Sequence, residues 1–278
     1  MTVRRAAVAG SWYPDHPERL ARELDAYIVN ADVEPGVAPP MAIVAPHAGL
    51  RYSGPVAACA YKSATRASVR TIVLVGPSHF IPFRGVSIWP QGTWDTPLGP
   101  VAVDEALAAA IAAESRDIVE RPDAHGREHS VEMQLPFVAH LLPGVTIVPL
   151  VMGYQTRDAA FGLGDAIARA VAARTPDGGE SGVLMVASSD LSHYEDAVTA
   201  ARMDSVVLTH VSALDPMGLM DALEREPHHA CGGGPMVAVL HAARRLGARH
   251  ARVLHYADSG DVSGDKSSVV GYMAAAIW

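Results

Sequence analysis

The chain has 278 residues, of which 49% are hydrophobic and 19% charged, the balance of a soluble globular protein. Its 22 Lys+Arg against 30 Asp+Glu give a formal charge of -8, and the basic residues are scattered, which argues against a nucleic-acid partner. Cys59 and Cys231 are the only cysteines, so no disulfide framework supports the fold and a reducing compartment is expected.

The N-terminal stretch has two arginines but no apolar core long enough for a signal peptide. Nowhere does an apolar run reach the roughly 20 residues needed to span a membrane, and the expectation is a cytoplasmic protein. After the Pro14-Asp15 turn, residues 16–29 predict a helix with Asp15 as its cap. A strand at 42–45, a helix at 56–63 and strands at 71–75 and 86–89 follow. Helices are predicted at 104–114 and 128–142, then a strand at 146–151 and a helix at 157–174. A polar loop at 175–182 leads to a strand at 183–187. Residues 197–226 read as helical with a break near Asp215-Pro216, where proline cannot continue a helix comfortably. A helix at 235–246 ends on Gly247, and strands at 253–256 and 269–274 close the chain. The polar segment between those strands reads equally as a lid or a hairpin turn. The strands are rich in Val, Ile and Leu, as strands buried on both faces should be. This alternation predicts a single α/β domain over residues 1–278, with a largely parallel or mixed central sheet flanked by helices.

Three apolar strands each finish in a polar cluster: Pro46-His47-Ala48-Gly49, Gly76-Pro77-Ser78-His79, and Ser188-Ser189-Asp190-Leu191-Ser192-His193. In open α/β sheets ligands gather at the carboxyl ends of strands, so parallel neighbours would bring these side chains to one rim. A lone histidine after a strand is more often an ordinary hydrogen-bonded loop residue; three in the same context point to a site. A fourth segment, His228-His229-Ala230-Cys231-Gly232-Gly233-Gly234-Pro235, places a cysteine at a glycine-rich helix start. There the backbone N–H groups can meet an anion, and the thiol is expected to ionise readily. Cys59, in an apolar helix, reads as buried and inert. Imidazole with thiolate suits zinc, copper or ferrous iron, and three protein ligands leave the open positions of a catalytic centre. Asp190 and His193 read either as a carboxylate-oriented general acid/base or, for Asp190, as a helix cap. Between His125 and Pro136, Glu128 and Glu132 are expected one turn apart on a helix face, with Glu128 and His129 supporting a ligand or substrate. His125 and His129 at i, i+4 are a lower-ranked metal pair. Trp12 and Tyr52 are candidate pocket walls, although large aromatics more often belong to a core.

Taken together, Gly10-Ser-Trp-Tyr-Pro14, Ala45-Pro-His47-Ala-Gly49, Gly76-Pro-Ser-His79, Glu128-His-Ser-Val-Glu132 with Gln134-Leu-Pro136, Ser188-Ser-Asp190 with His193, and Cys231-Gly-Gly-Gly-Pro235 resemble the Memo-like family. That family is also described as protein B of the AmmeMemoRadiSam system. The motifs run through nearly the whole chain, and their order is what makes them specific. The resemblance implies a fold similar to class III extradiol dioxygenases, which hold ferrous iron with two histidines and a carboxylate beside a histidine acid/base. By position, His47 and His79 match the histidine ligands, Cys231 the third ligand of the Memo-like branch, and His193 the acid/base. A thiolate in place of the carboxylate departs from the dioxygenase pattern. The resemblance also implies a redox metal, with iron ahead of copper or zinc, and AMMECR-type and radical SAM proteins as partners. The function expected is a metal-dependent, dioxygenase-like oxidoreductase acting on a small molecule. The alternatives are a zinc-dependent hydrolase and a module that binds a peptide or partner in the same cleft.

Overall fold

A computed structural model describes residues 2–33, 38–174 and 181–278. The strands in chain order are β1 (Val3–Arg4), β2 (Ala42–Ala45), β3 (Thr71–Pro77), β4 (Val86–Ile88), β5 (Thr93–Trp94), β6 (Val101–Ala102), β7 (Ile118–Glu120), β8 (Thr146–Met152), β9 (Val183–Ser188), β10 (His193–Glu195), β11 (Ala251–Asp258) and β12 (Val269–Ile277). The helices are α1 (Pro17–Asn30), α2 (Leu50–Ala64), α3 (Glu105–Ala113), α4 (Pro122–Gly126), α5 (Leu135–Leu141), α6 (Arg157–Ala173), α7 (Ala197–Ser212), α8 (Pro216–Arg225), α9 (Gly233–Arg245) and α10 (Gly260–Ser263).

The large sheet is mixed, as expected, with the order β10-β12-β2-β9-β3-β8-β4-β7 and β11 on the far side of β12. Its centre, β2-β9-β3-β8, is parallel, and the antiparallel pairings lie towards both edges. The central strands are buried throughout apart from the first residue of β8, which explains their continuous apolarity. Helix α2 packs on β2 and β12, and α9 on β9 and β3; α1 covers α2 and α6 covers α9. Among the described residues, no helix is long and apolar enough to cross a membrane.

Several predicted elements shift. Helix α1 is capped at His16 without a side-chain bond, so Asp15 is not its cap. Helix α2 begins at Leu50 and runs through Pro55, forgoing one backbone hydrogen bond in its second turn. The predicted helix at 128–142 is replaced by a turn, a short 3-10 segment (Glu132–Gln134) and α5. The Glu128 carboxylate takes the backbone N–H groups of His129 and Ser130, competing with helix formation there. Glu128 and Glu132 therefore share no helix face. The polar segment before β12 is a hairpin connection closed by Lys266, which bridges Asp258 and Asp261. The loop read at 175–182 lies, except for Ser181 and Gly182, outside the described residues.

Candidate metal centre

Because β2, β9 and β3 are parallel neighbours, their carboxyl ends reach one rim. His47 and His79 leave that rim just beyond β2 and β3, with the Ser188-Ser189-Asp190 turn between them. His129 arrives from the turn that Glu128 organises. The ligand-capable atoms of His47, His79 and His129 all lie within 4.8 Å of one another. Two glycines make the crowding there sterically feasible. A Cβ on Gly76 would sit 2.5 Å from Ser130 Oγ, and one on Gly232 would sit 2.4 Å from the Ser188 carbonyl. The Gly-Pro-Ser-His and Cys-Gly-Gly-Gly motifs owe those glycines to close packing.

The rings are held from behind. His79 Nδ1 lies 2.9 Å from Glu128 Oε1, and its backbone N–H donates to Oε2 at 2.6 Å. Burial raises the Glu128 carboxyl, but the hydrogen bonds from His79 and from backbone N–H groups outweigh it and bring the pKa down to about 2. Glu128 is thus an anion at neutral pH, Nδ1 of His79 carries the proton, and Nε2 is left open. His47 is buried, with Nδ1 at 2.9 Å from Ser188 Oγ and Nε2 at 3.2 Å from the Cys231 sulfur. Burial and the nearby His79 hold the His47 pKa well below its ordinary value. Burial, then His47 and His79, lower His129 to about 4. Both rings are neutral at pH 7, the form that binds metal. Among the described residues the buried Nδ1 of His129 has no hydrogen-bond partner, with Glu128 Oε1 3.6 Å away and two other imidazoles beside it.

Cys231 approaches His47 at Nε2, the sulfur 3.2 Å away. The Asp190 backbone N–H points at its sulfur at 3.3 Å, and its own N–H donates to the Asp190 carbonyl at 3.2 Å. Burial, followed by the Asp190 carboxylate, pushes the thiol up rather than down, which corrects the expected easy ionisation. Two N–H groups at the start of α9 are already taken by side chains rather than open to an anion. Gly232 N donates to Ser189 Oγ at 2.9 Å and Gly234 N to Gln155 Oε1 at 2.7 Å.

This geometry accompanies a whole-chain match. The family profile described as Memo-like protein covers residues 4–276. A MEMO1 family protein of Thermotoga maritima is 37% identical over 285 residues, covering 99% of each chain. Another, from Methanosarcina acetivorans, is 41% identical over 277 residues, covering 99% of this chain and 98% of its own. A third, from Methanothermobacter thermautotrophicus, is 37% identical over 278 residues, covering 97% and 98%. The chain belongs to the Memo-like family.

The other expected residues of this Memo-like protein divide into two groups. Asp190 is buried and caps no helix; its Oδ1 accepts from the N–H groups of His47 (2.7 Å) and Ala48 (3.2 Å), fixing the backbone at His47. His193 donates from Nδ1 to the Leu191 carbonyl at 2.8 Å, which leaves Nε2 open. Tyr194 then turns the chain with φ 65°, a conformation uncommon for a tyrosine. Trp12 covers His129, ring centroids 4.2 Å apart, while Tyr52 is exposed on α2. His125 lies elsewhere, edge-on between Trp89 and Trp94, with Nε2 at 2.9 Å from Ser87 Oγ, so it forms no metal pair with His129. Sequence reasoning gave no role to Ser188, Gln134 or Phe80. Phe80 flanks His129 at 5.8 Å, and Gln134 is buried; its amide in an otherwise apolar stretch of sequence was the signal available for it. Glu132 is also structural: it pairs with Arg4 and accepts from Ala7 N, Val8 N and Tyr13 Oη, which ties down the arm bearing Trp12.

Proposed function

We propose that this Memo-like protein binds one metal ion through His47 and His79, completed by Cys231 or His129, and that it is a dioxygenase-like oxidoreductase acting on a small molecule. The observation that carries the reading is the cluster of three imidazoles whose ligand-capable atoms fall within 4.8 Å. Imidazoles with a thiol at one side form a donor set suited to zinc, copper or ferrous iron, and unsuited to magnesium or calcium. When bound, the metal would supply a Lewis-acidic and, for iron or copper, redox-active centre. The chain's own residues contribute the rest. His193, with Nδ1 held by Leu191, can hold or move a proton at Nε2. Asp190 keeps His47 in place, and Trp12 with Phe80 narrows the approach to His129.

The all-imidazole triad favours a second reading, a zinc-dependent hydrolase, because three histidines are also a catalytic zinc set. Metal analysis of protein purified without oxygen separates the two. About one iron or copper per chain, lost in His47→Ala, supports the first; zinc alone, with oxygen-indifferent activity, supports the second. Parent protein that binds none of the three metals ends both, and leaves the cleft as a binding surface for a peptide or for AMMECR-type or radical SAM partners.

A further inference from the structure

We infer that Ser188, set by Gln134, is a positioning residue that locks His47 in the Nδ1–H form and so leaves Nε2 as its only metal-binding nitrogen. The inference rests on the metal-binding reading above for its consequence, but the lock itself follows from a proton inventory in a fully buried network. Tyr61, Gln134 and Ser188 have no exposed surface, and His47 has 1%. With no bulk water at these groups, each donor must be matched to an acceptor within the protein.

The inventory starts at Gln134. Tyr61 Oη donates to its Oε1 at 2.9 Å, and its Nε2 lies 3.1 Å from the Pro46 carbonyl, which can only accept. The amide is therefore oriented with Nε2 as donor, and that same nitrogen lies 2.7 Å from Ser188 Oγ. Ser188 must accept there. Its single hydroxyl proton goes to the Ser130 carbonyl, another obligate acceptor, at 2.6 Å. The remaining neighbour is His47 Nδ1 at 2.9 Å, and Ser188 has only a lone pair left to offer it. Nδ1 must then carry the proton, and the unprotonated Nε2 points to the rim where Cys231, His79 and His129 stand.

His79 reaches the same tautomer by another route, through a carboxylate, and Glu128 was already expected to support a ligand. The His47 lock uses a neutral hydroxyl whose own proton is committed elsewhere. It consequently depends on Gln134 and on the Ser130 carbonyl as much as on Ser188.

The test is long-range proton–nitrogen NMR of metal-free protein labelled with 15N-histidine, with His47 assigned by its absence in His47→Gln. The parent and Ser188→Thr should show His47 protonated at Nδ1. Ser188→Ala should admit the Nε2–H form and weaken Zn(II) or Co(II) binding by about 10- to 100-fold, with Ser188→Thr restoring it. An Nε2–H tautomer in the parent overturns the lock, and that spectrum decides even if Ser188→Ala does not fold. Unchanged tautomer and affinity in a folded Ser188→Ala also overturn it. A parent that shows Nδ1–H but binds neither metal upholds the lock and overturns the metal reading instead.

Discussion

Two regions of this protein hold buried histidines with depressed pKa values, and in only one of them do several imidazoles converge. At the sheet rim, His47, His79 and His129 face one another, two of them anchored at Nδ1. In the interior, His125 is sealed between Trp89 and Trp94, with its pKa lowered to about 3 by burial and then by the Arg4 guanidinium. His129, only one short turn along the chain, is lowered to about 4. A depressed imidazole pKa reports desolvation in both places. What separates them is convergence: the rim brings open ring nitrogens into a shared space, and the tryptophan pocket does not.

The largest expected effect tests that difference directly. His47→Ala should abolish stoichiometric metal binding, whereas His125→Gln should leave it intact. Equal loss in both variants, measured by metal titration of folded protein, would show that the variants report stability rather than ligation.

Next comes the choice between the two candidates for the third ligand. His129→Ala and Cys231→Ser remove the imidazole and the thiol candidates separately. If Cys231 is the third ligand, Co(II)-loaded parent should show a sulfur-to-metal charge-transfer band that Cys231→Ser lacks and His129→Ala keeps. The reverse pattern of affinity loss, with no such band in the parent, assigns His129. Glu128→Gln should follow, with about 10- to 100-fold weaker binding through the misplaced His79 ring. Isothermal titration checks it, and an unchanged Kd would remove Glu128 from the metal's support.

Much of this rim was legible in the sequence, because long apolar strands announce themselves and their polar ends are easy to see. Residues 42–45, 71–75 and 183–187 are strands, and their parallel adjacency brings His47, His79 and Asp190 together. The short strands β1, β5, β6, β7 and β10 escaped because two or three residues carry no readable periodicity. The start of the helix predicted at 128–142 was misread for a different reason. Its local preference is overridden by one carboxylate, Glu128, whose partners include His79, 49 positions away. Hydrogen bonds of that range leave no mark on a pattern read in windows. The separation of His125 from His129 was hidden for the same reason, since an i, i+4 spacing has meaning only if a helix forms.

His125 offers a pH test of the interior pocket. Its ring takes a proton near 6.5 when unfolded but only near 3 when folded. The unfolded chain therefore binds the extra proton between those values. Stability from this residue is full above about pH 6.5 and falls as the pH drops towards 3, by up to about 1.4 kcal/mol per pH unit. Between pH 7 and pH 5 that amounts to roughly 2 kcal/mol. In His125→Gln, denaturant midpoints should decline less steeply over this range, whatever the variant's absolute stability. An unaltered slope would mean that His125 is not held neutral, and the contrast with the rim would weaken.

The smallest effect belongs to Trp12, which covers His129 from an arm tied down by Glu132 and remains 37% exposed. An aromatic pair of this kind adds about 0.5–1.5 kcal/mol beyond the area it buries. Trp12→Ala should therefore cost about 1 kcal/mol in stability and change metal affinity less than Glu128→Gln does, because Trp12 offers no acceptor to fix a ring nitrogen. Its contribution is cover: it limits water and ligand approach on the His129 side. Should Trp12→Ala weaken metal binding as much as Glu128→Gln, packing from outside would rank with hydrogen bonding from behind. The rim would then resemble the tryptophan pocket around His125 more closely than its geometry suggests.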